Sequence, residues 1–258
     1  MSQLQVKTMA EFMAEGKEAE LLFWVGSAGS FDDRAKKITK AFVKIMNTAE
    51  VNFGVLGSEE SSSGDVAKRA GNEFLFQMQA LANIEVMNTY NVKHIVTACP
   101  HSYNTIKNEY PSLGGNYIVH HHTEFISALI AEGRITITGD LKGKDIVYHD
   151  PCYLGRANGV YDPPRTLIKS LGVKIIEMKR TKSRSFCCGA GGAQMFKDVE
   201  KGDKEINIDR TEEALALEPD IIATGCPFCN TMMTDGVKAV DDGAAEVMDI
   251  AELISDNI

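Results

Sequence analysis

An internal repeat constrains the fold of this chain more than any other feature of its sequence. Four blocks of the first half recur in the second half, in the same order and at separations of 125 to 128 residues. The pairs are VGSAGSFDD around Ser27 with DPCYLGRANGVYD around Cys152, Ser62-Ser63-Gly64 with Cys187-Cys188-Gly189, CPHS at 99–102 with CPFC at 226–229, and HTEFI at 122–126 with IAELI at 250–254. The order and the near-constant separation indicate two homologous halves. Because two copies are too few for a solenoid, we expect them to pack as a pseudo-twofold pair.

Short apolar runs bounded by turn residues alternate with helical patterns along both halves. Runs typical of buried strands are LLFWVG (21–26), NFGVLG (52–57), KHIVTAC (93–99), NYIVHH (116–121), KDIVYHD (144–150), VKIIEM (173–178), PDIIATGC (219–226) and AEVMDI (245–250). Helical patterns cover 34–49, 69–90, 122–133, 163–172 and 208–218. The alternation predicts parallel sheets in an α/β fold, with two homologous Rossmann-like domains at 1–135 and 136–258.

The bulk properties exclude some functions. The chain has 258 residues, which is long enough for a sizeable core, and a formal net charge of −9. An acidic surface repels phosphate backbones, so nucleic acid is not an expected partner. The first residues show no apolar segment of a secretory signal, and no apolar run approaches the ~20 residues that span a bilayer. We therefore expect a cytoplasmic protein that docks at most peripherally, through a partner, on the inner membrane face.

Five of the six cysteines cluster in the second half as C, CC and CxxC. They are Cys152, Cys187, Cys188, Cys226 and Cys229, while Cys99 stands apart in the first half. In a chain without an export signal, disulfides are disfavoured and clustered cysteines indicate metal or redox chemistry. Each block follows a predicted strand or opens a helix, so the blocks are expected to meet where ligands gather in open α/β sheets. Glycines at 189, 191 and 192 would let the backbone approach a metal centre closely.

Three kinds of site remain compatible with this cysteine pattern. A structural zinc ion needs four ligands, usually from two paired knuckles, and five thiolates exceed that number. A multi-iron cluster can accept both members of the adjacent pair at different irons, so an iron–sulfur cluster is favoured. The third alternative is a thiol–disulfide oxidoreductase that uses Cys187 and Cys188, although a disulfide between neighbouring residues is strained.

The three cysteine segments resemble a known family. The segments HDPCYLGRANGVYDPPR, SFCCGAGG and IATGCPFCNTMMTDGV, with the spacing C-x34-CC-x37-C-x2-C, are similar to the CCG (cysteine-rich) domain. That domain occurs in tandem in heterodisulfide reductase subunits B and D and in iron–sulfur subunits of glycolate and lactate oxidation systems. The resemblance implies a noncubane [4Fe-4S] cluster bound by all five cysteines of the second half.

The same resemblance implies a subunit of an oxidoreductase rather than a complete enzyme. The expected function is electron transfer in a heterodisulfide reductase-like or 2-hydroxy acid oxidase-like complex. The chain has no ferredoxin-like CxxCxxCxxxCP run, so electrons would come from another subunit, a ferredoxin-type iron–sulfur protein or a flavoprotein dehydrogenase. A scaffold subunit with structural zinc is the alternative from another class.

The first copy departs from the family pattern at three cysteine positions. Ser27, Ser62 and Ser102 occupy them, and only Cys99 remains. A hydroxyl is a poor ligand for iron in a sulfide cluster, so we predict no cluster in this half and a buried free thiol at Cys99. The sequence leaves open whether the copy has degenerated or the serines were introduced by design.

Two histidine segments have alternative interpretations. His149 precedes the first cysteine of the cluster motif, and it either donates a hydrogen bond to a cluster sulfur, relays a proton, or is a core histidine. The run His120-His121-His122 ends a predicted strand, where neighbouring side chains point to opposite faces. A structural role is therefore favoured for this run.

Overall fold

The computed structural model describes residues 4–199 and 201–258, which form two parallel sheets with helices around them. The first half contains β1 Lys7–Thr8, α1 Met9–Ala14, β2 Leu21–Trp24, α2 Gly26–Phe31, α3 Asp33–Thr48, β3 Phe53–Val55, α4 Asp65–Arg69, α5 Glu73–Thr89, β4 His94–Thr97, α6 Pro100–Asn104, β5 Ile118–His121 and α7 His122–Ala131. The second half contains β6 Ile146–Tyr148, α8 Gly155–Asn158, α9 Asp162–Ser170, β7 Ile175–Ile176, α10 Ile206–Leu215, β8 Ile221–Thr224, α11 Pro227–Asp241, β9 Glu246–Asp249 and α12 Ile250–Ser255. Short 3₁₀ or π turns cover Gly57–Glu59, Thr105–Glu109, Tyr110–Leu113, Lys182–Arg184 and Gln194–Phe196.

The two sheets have the same topology, which confirms the predicted pair of homologous α/β domains. The first sheet has the order β1-β3-β2-β4-β5 and the second the order β7-β6-β8-β9, with every strand pair parallel. Apart from β1, each half therefore places its second strand at one edge, followed by its first, third and fourth. In such a sheet the chain changes direction between the first and third strands, and ligands bind outside the carboxyl ends at that point.

The halves pack through helices that exchange under a pseudo-twofold rotation. Helix α3 packs against α12, and α7 packs against α9. Because α3 and α9 lie between the first and second strands of their repeats, while α7 and α12 follow the last strands, the two contacts are equivalent. Arg34 adds a bidentate ion pair across this boundary, with Nη1 and Nη2 at 2.8 and 2.7 Å from the carboxylate oxygens of Glu252.

One hydrophobic core runs through both halves. It joins Phe23 and Phe42 of the first half to Tyr148 and Leu167 of the second, and all four are fully buried. Further apolar clusters lie on the outer sides of the sheets. The halves therefore share the surface on which each would otherwise expose apolar groups to water. The boundary at 135/136 stays a prediction.

Some predicted elements differ from the structure. The helix predicted over 69–90 begins only at Glu73, because Gly71 adopts a φ of +86° and the Asn72 side chain accepts a hydrogen bond from the Leu75 amide to begin α5. Arg69 is instead the last residue of the separate short helix α4. The short elements β1, α1, α2, α4, α6, α8 and α12 were not predicted. Among the described residues, no helix is both long and apolar enough to cross a bilayer.

Candidate metal centre

Three segments of the second half bring the five predicted cysteines together. Cys152 follows β6, Cys187 and Cys188 lie in the loop before α10, Cys226 caps the N-terminus of α11, and Cys229 lies in its first turn. Strands β6 and β8 are the first and third strands of the second repeat. The cysteines therefore converge at the point where this topology places ligands.

The five thiols form a contiguous group. The Sγ atoms of Cys188 and Cys229 are 3.2 Å apart, and Cys187 exchanges hydrogen bonds with Cys152 and Cys188. Cys226 is likewise hydrogen-bonded to Cys229. None of them forms a disulfide.

The surroundings make this group a largely buried pocket. Cys188, Cys226 and Cys229 are buried, whereas Cys152 and Cys187 are partly exposed at its mouth. The apolar wall consists of Ala190, Met195, Phe228 and Met232. Burial of so many sulfurs in one place would be unfavourable if all were charged and uncompensated.

The electrostatics of the pocket divide the cysteines into two sets. Hydrogen bonds from Cys152 and Cys188 and from the Gly189 amide, 3.3 Å from the sulfur, hold the pKa of Cys187 far below its usual value. Burial opposes ionisation of Cys226, but hydrogen bonds from Cys229 and the first amides of α11 still lower its pKa. Hydrogen bonding to Cys187, together with burial, raises the pKa of the Cys152 and Cys188 thiols, and hydrogen bonding to Cys188 and Cys226 raises that of Cys229.

This donor set fits a polynuclear iron–sulfur centre. Five adjacent sulfurs exceed the four ligands of one zinc ion, and a cationic centre would allow all five to ionise. Amide groups that point at two of the sulfurs would stabilise the thiolate-rich anion that results.

A buried ion-pair network ties the cysteine loops together. The carboxylate of Asp150 accepts hydrogen bonds from both Nη groups of Arg165, each at 2.8 Å. It also accepts hydrogen bonds from the Thr181 hydroxyl at 3.0 Å and from the Lys182 amide at 2.8 Å. The Ser185 hydroxyl donates to the main-chain oxygen of Asp150 at 2.8 Å. One residue thus connects the loop after β6 to the loop that carries the adjacent cysteine pair. The functional interpretation of the sequence missed this network, although Asp150 and Arg165 lie within the motif segment.

A histidine and an arginine, both fully buried, line the pocket from behind. Arg210 Nε donates to Nδ1 of His149 at 3.0 Å. A ring nitrogen of His149 lies within 4.8 Å of the sulfurs of Cys188 and Cys229. Burial and the Arg210 charge lower the pKa of His149 to about 3, so its ring is neutral. His149 therefore lies beside the predicted cysteines, and its role as a donor to a cluster sulfur stays a prediction; Arg210 was missed.

The equivalent site in the first half is a small cavity rich in hydroxyl groups. Ser27, Ser62, Ser102 and Cys99 line it, and Ser102 Oγ lies 3.4 Å from Ser63 Oγ. Burial and the nearby Cys226 raise the pKa of Cys99 to about 12, so it is a neutral, buried free thiol as predicted. The absence of a cluster from this half stays a prediction.

His101 connects this cavity to the cysteine pocket. Its ring lies 4.3 Å from that of Tyr153 and packs edge-on at 5.6 Å against Phe228, both residues of the cysteine motif. The carboxylate of Asp65 accepts a hydrogen bond from Nδ1 of His101 at 2.9 Å. Burial opposes protonation of His101, but Asp65 outweighs this and raises its pKa. The first half therefore supplies a side chain to the site in the second half.

The histidine run occupies the boundary between the halves. His121 and His122 are fully buried, and Nε2 of His122 lies 2.9 Å from Asp249 in the other half. Nδ1 of His122 lies 3.2 Å from Nε2 of His121, whose Nδ1 lies 2.7 Å from the Thr123 hydroxyl. Every ring nitrogen of these two histidines has a protein partner, which agrees with the structural role favoured from the sequence.

Comparison with protein families identifies the class of protein that the fold and cysteine pattern define. The family model of the cysteine-rich domain, CCG, matches twice, at residues 22–107 and 146–234. The chain therefore belongs to the CCG cysteine-rich domain family, as predicted, and it contains two copies of the domain.

Individual relatives match over nearly the whole chain. A Bacillus subtilis (strain 168) protein named "Probable iron-sulfur-binding oxidoreductase FadF" is 46% identical over 256 residues, covering 98% of this chain and 36% of the relative. The "EtfAB:quinone oxidoreductase" of Syntrophomonas wolfei is also 46% identical, covering 96% and 36%. One subunit of the dihydromethanophenazine:CoB–CoM heterodisulfide reductase of Methanosarcina barkeri is 30% identical, covering 93% and 59%. The chain thus spans between about a third and three fifths of the length of these relatives.

Proposed function

We propose that this chain is an iron–sulfur electron-transfer subunit, or part of one, that binds one [4Fe-4S] cluster through Cys152, Cys187, Cys188, Cys226 and Cys229. The observation that carries the proposal is the convergence of five thiols in one pocket, with one sulfur pair at 3.2 Å. The names of the relatives support the same class, because they describe iron–sulfur binding or oxidoreductase subunits. A noncubane form of the cluster is the finer part of the proposal, and the fifth thiol supports it.

The residues of the chain would give such a cluster a defined environment. A cluster supplies a reversible one-electron couple when it is bound. Ala190, Phe228 and Met232 would exclude water from its buried side, where a low dielectric strengthens the effect of nearby charges and dipoles. Cys152 and Cys187, at the partly exposed mouth, would form the side through which electrons or a substrate reach the cluster.

The partner is proposed from the names of the relatives. A heterodisulfide reductase subunit and an EtfAB:quinone oxidoreductase both imply electron exchange with other redox centres. We propose a ferredoxin-type iron–sulfur subunit or a flavoprotein dehydrogenase as the donor or acceptor, with cytoplasmic placement and peripheral docking at a membrane subunit. Anaerobic mixing with a reduced candidate donor would test this, because a competent donor bleaches the visible absorption of the cluster within the mixing time.

Cysteine substitutions test the ligand assignment. Cys152→Ser and Cys226→Ser should each lose most of the iron and acid-labile sulfide after anaerobic purification, because a hydroxyl ligates cluster iron poorly. Cys99→Ser is the matched control, because this buried thiol lies in the other half, and its iron content should equal that of the wild type. Comparable iron loss in the Cys99 variant would contradict a vacant first half. Circular dichroism of each variant separates ligand loss from unfolding.

A second candidate function follows from the low pKa of one cysteine. The pKa of Cys187 is lowered by its thiol neighbours, and the residue is partly exposed, which are properties of a reactive thiolate. A thiol–disulfide oxidoreductase that uses Cys187 and Cys188 would be active without metal, and alkylation would abolish its activity. Metal-free protein that reduces a model disulfide catalytically would favour it over the cluster.

A further inference from the structure

The buried pair of His149 and Arg210 has defined donor and acceptor roles. Arg210 is fully buried, its Nε lies 3.0 Å from His149 Nδ1, and its Nη1 donates to the Arg180 main-chain oxygen and to Glu213, each at 2.9 Å. A guanidinium carries only N–H donors and no acceptor. Nδ1 of His149 must therefore be the acceptor in this contact, and the proton of the neutral ring resides on Nε2.

The other ring nitrogen is the one available to the cysteines. A nitrogen of His149 lies within 4.8 Å of the sulfurs of both Cys188 and Cys229. Because Arg210 occupies Nδ1, only Nε2–H is free to engage them. We propose that Arg210 is a positioning residue that fixes His149 as an Nε2–H hydrogen-bond donor to the sulfurs of Cys188 and Cys229 and bars His149 from ligating a metal. The redox part of this inference rests on the proposed cluster, whereas the tautomer part does not.

Metal ligation by His149 conflicts with this geometry. A neutral imidazole that binds a metal through Nε2 must carry its proton on Nδ1. That proton would face the N–H of Arg210 across 3.0 Å, with no acceptor between the two donors. His149 is therefore excluded from the ligand set, although its distance from the sulfurs would suit a zinc ligand. The arrangement disfavours a Cys/His zinc site and leaves the pocket with sulfur ligands only.

The Nε2–H donor of His149 should change the reduction potential of the cluster in a defined direction. Reduction adds negative charge to a thiolate-ligated cluster, and an N–H donor to its sulfurs stabilises the reduced form more than the oxidised form. The Arg210 charge behind the ring polarises the Nε2–H bond further. His149 should thus raise the reduction potential of the cluster relative to a site without this donor.

The tautomer is measured on metal-free protein, independently of any cluster. In ¹⁵N-histidine-labelled protein, we expect His149 to show a single neutral tautomer with its proton on Nε2. In Arg210→Met, the spectrum should become a mixture of both tautomers. Arg180→Met is the matched control, because the Arg180 side chain binds the same Glu213 carboxylate but does not contact the imidazole. A wild-type ring protonated on Nδ1, or an Arg210→Met spectrum identical to that of the wild type, would overturn the inference.

Zinc affinity and reduction potential give a second readout. Arg210→Met should bind zinc at least tenfold more tightly than the wild type, and the gain should vanish in the double variant with His149→Leu. In cluster-loaded protein, His149→Leu should shift the reduction equilibrium at least tenfold towards the oxidised form, which is 59 mV for one electron. His149→Gln keeps a side-chain N–H donor and should recover most of that shift. Equal potentials in the leucine variant and the wild type would refute the donor role. An intact tautomer in a protein that never binds iron would refute the proposed cluster alone.

Discussion

Among the residues next to the cysteine pocket, Asp150 should be the one whose substitution lowers the free energy of unfolding most. It pairs with Arg165 through two contacts of 2.8 Å, and the two side chains are only 2% and 5% exposed. Breaking a buried ion pair by removing one charge costs about 3–5 kcal/mol, because the partner is left uncompensated. Glu177 still contacts Arg165 in Asp150→Asn, so we expect the lower end, about 3 kcal/mol, in the free energy of unfolding.

The stabilisation by the Asp150–Arg165 pair should depend on pH in a defined direction. Burial raises the pKa of Asp150, but Arg165 and the Lys182 amide outweigh it and lower the pKa below the ordinary value of 3.8. The stabilisation by the pair is therefore fully present above the pKa of the unfolded chain and is lost as the pH falls through the folded value. The Asp150→Asn variant should lack this loss, so its acid limb of stability should be flatter than that of the wild type.

Urea unfolding at several pH values, monitored by circular dichroism, measures both effects. Asp140→Asn is the matched control, because Asp140 pairs with Lys142 on the exposed surface and its substitution should leave the midpoint unchanged. A change below about 1 kcal/mol in Asp150→Asn would show that the network is not a significant constraint on the cysteine loops. We also expect this variant to lose iron to a chelator faster than the wild type, because Asp150 connects two of the three cysteine loops.

Other positions give independent tests. Gly236→Ala should destabilise the protein by about 1–3 kcal/mol in urea unfolding, because the added Cβ would lie 2.1 Å from Thr211 Oγ1 where α10 and α11 meet. Phe42→Ala should lower the free energy of unfolding by about 3–5 kcal/mol, because this side chain is fully buried in the core shared by both halves. The variant should still unfold in a single calorimetric transition, and two separated transitions would contradict the shared core. Burial raises the pKa of Glu60 to about 7, so stability should fall as the pH rises from about 4.5 to 7. This pKa shift corresponds to a decrease of about 3 kcal/mol in the free energy of unfolding, which is an upper bound because Glu60 keeps some exposure to solvent. In Glu60→Gln, unfolding measured across the same pH range should show no such decrease.

The fold could be predicted because repetition and hydrophobic patterning are local properties of the sequence. Eight apolar runs with intervening helical patterns identified the strands that the two halves share, and the repeat identified the symmetry. The predicted strands were too long at their ends, as at 173–178, where only Ile175–Ile176 pairs in the sheet. Strand ends depend on which backbone groups find partners in three dimensions, which periodicity does not encode. The start of α5 at Glu73, rather than at residue 69, depended on the positive φ of Gly71, which the apolar pattern did not show.

The cysteines of the candidate site could be predicted, but the residues that arrange them could not. Cysteine spacing is specific enough to single out five residues, whereas Asp150, Arg165 and Arg210 belong to residue types that are usually found on solvated surfaces. Their burial becomes evident only when distant segments meet, as when Arg210 of α10 reaches His149, 61 residues earlier in the chain. The placement of His101 against the cysteine motif is also a tertiary effect, because it arises from the packing of one half against the other.

The iron, acid-labile sulfide and zinc content of anaerobically purified protein tests the central claim most directly. We predict a coloured protein with about four iron and about four sulfide per chain and less than stoichiometric zinc. A colourless protein with one zinc and no sulfide would contradict the iron–sulfur assignment. Iron and sulfide near two clusters per chain would contradict the prediction that the first half, with Ser27, Ser62 and Ser102 at its ligand positions, holds none.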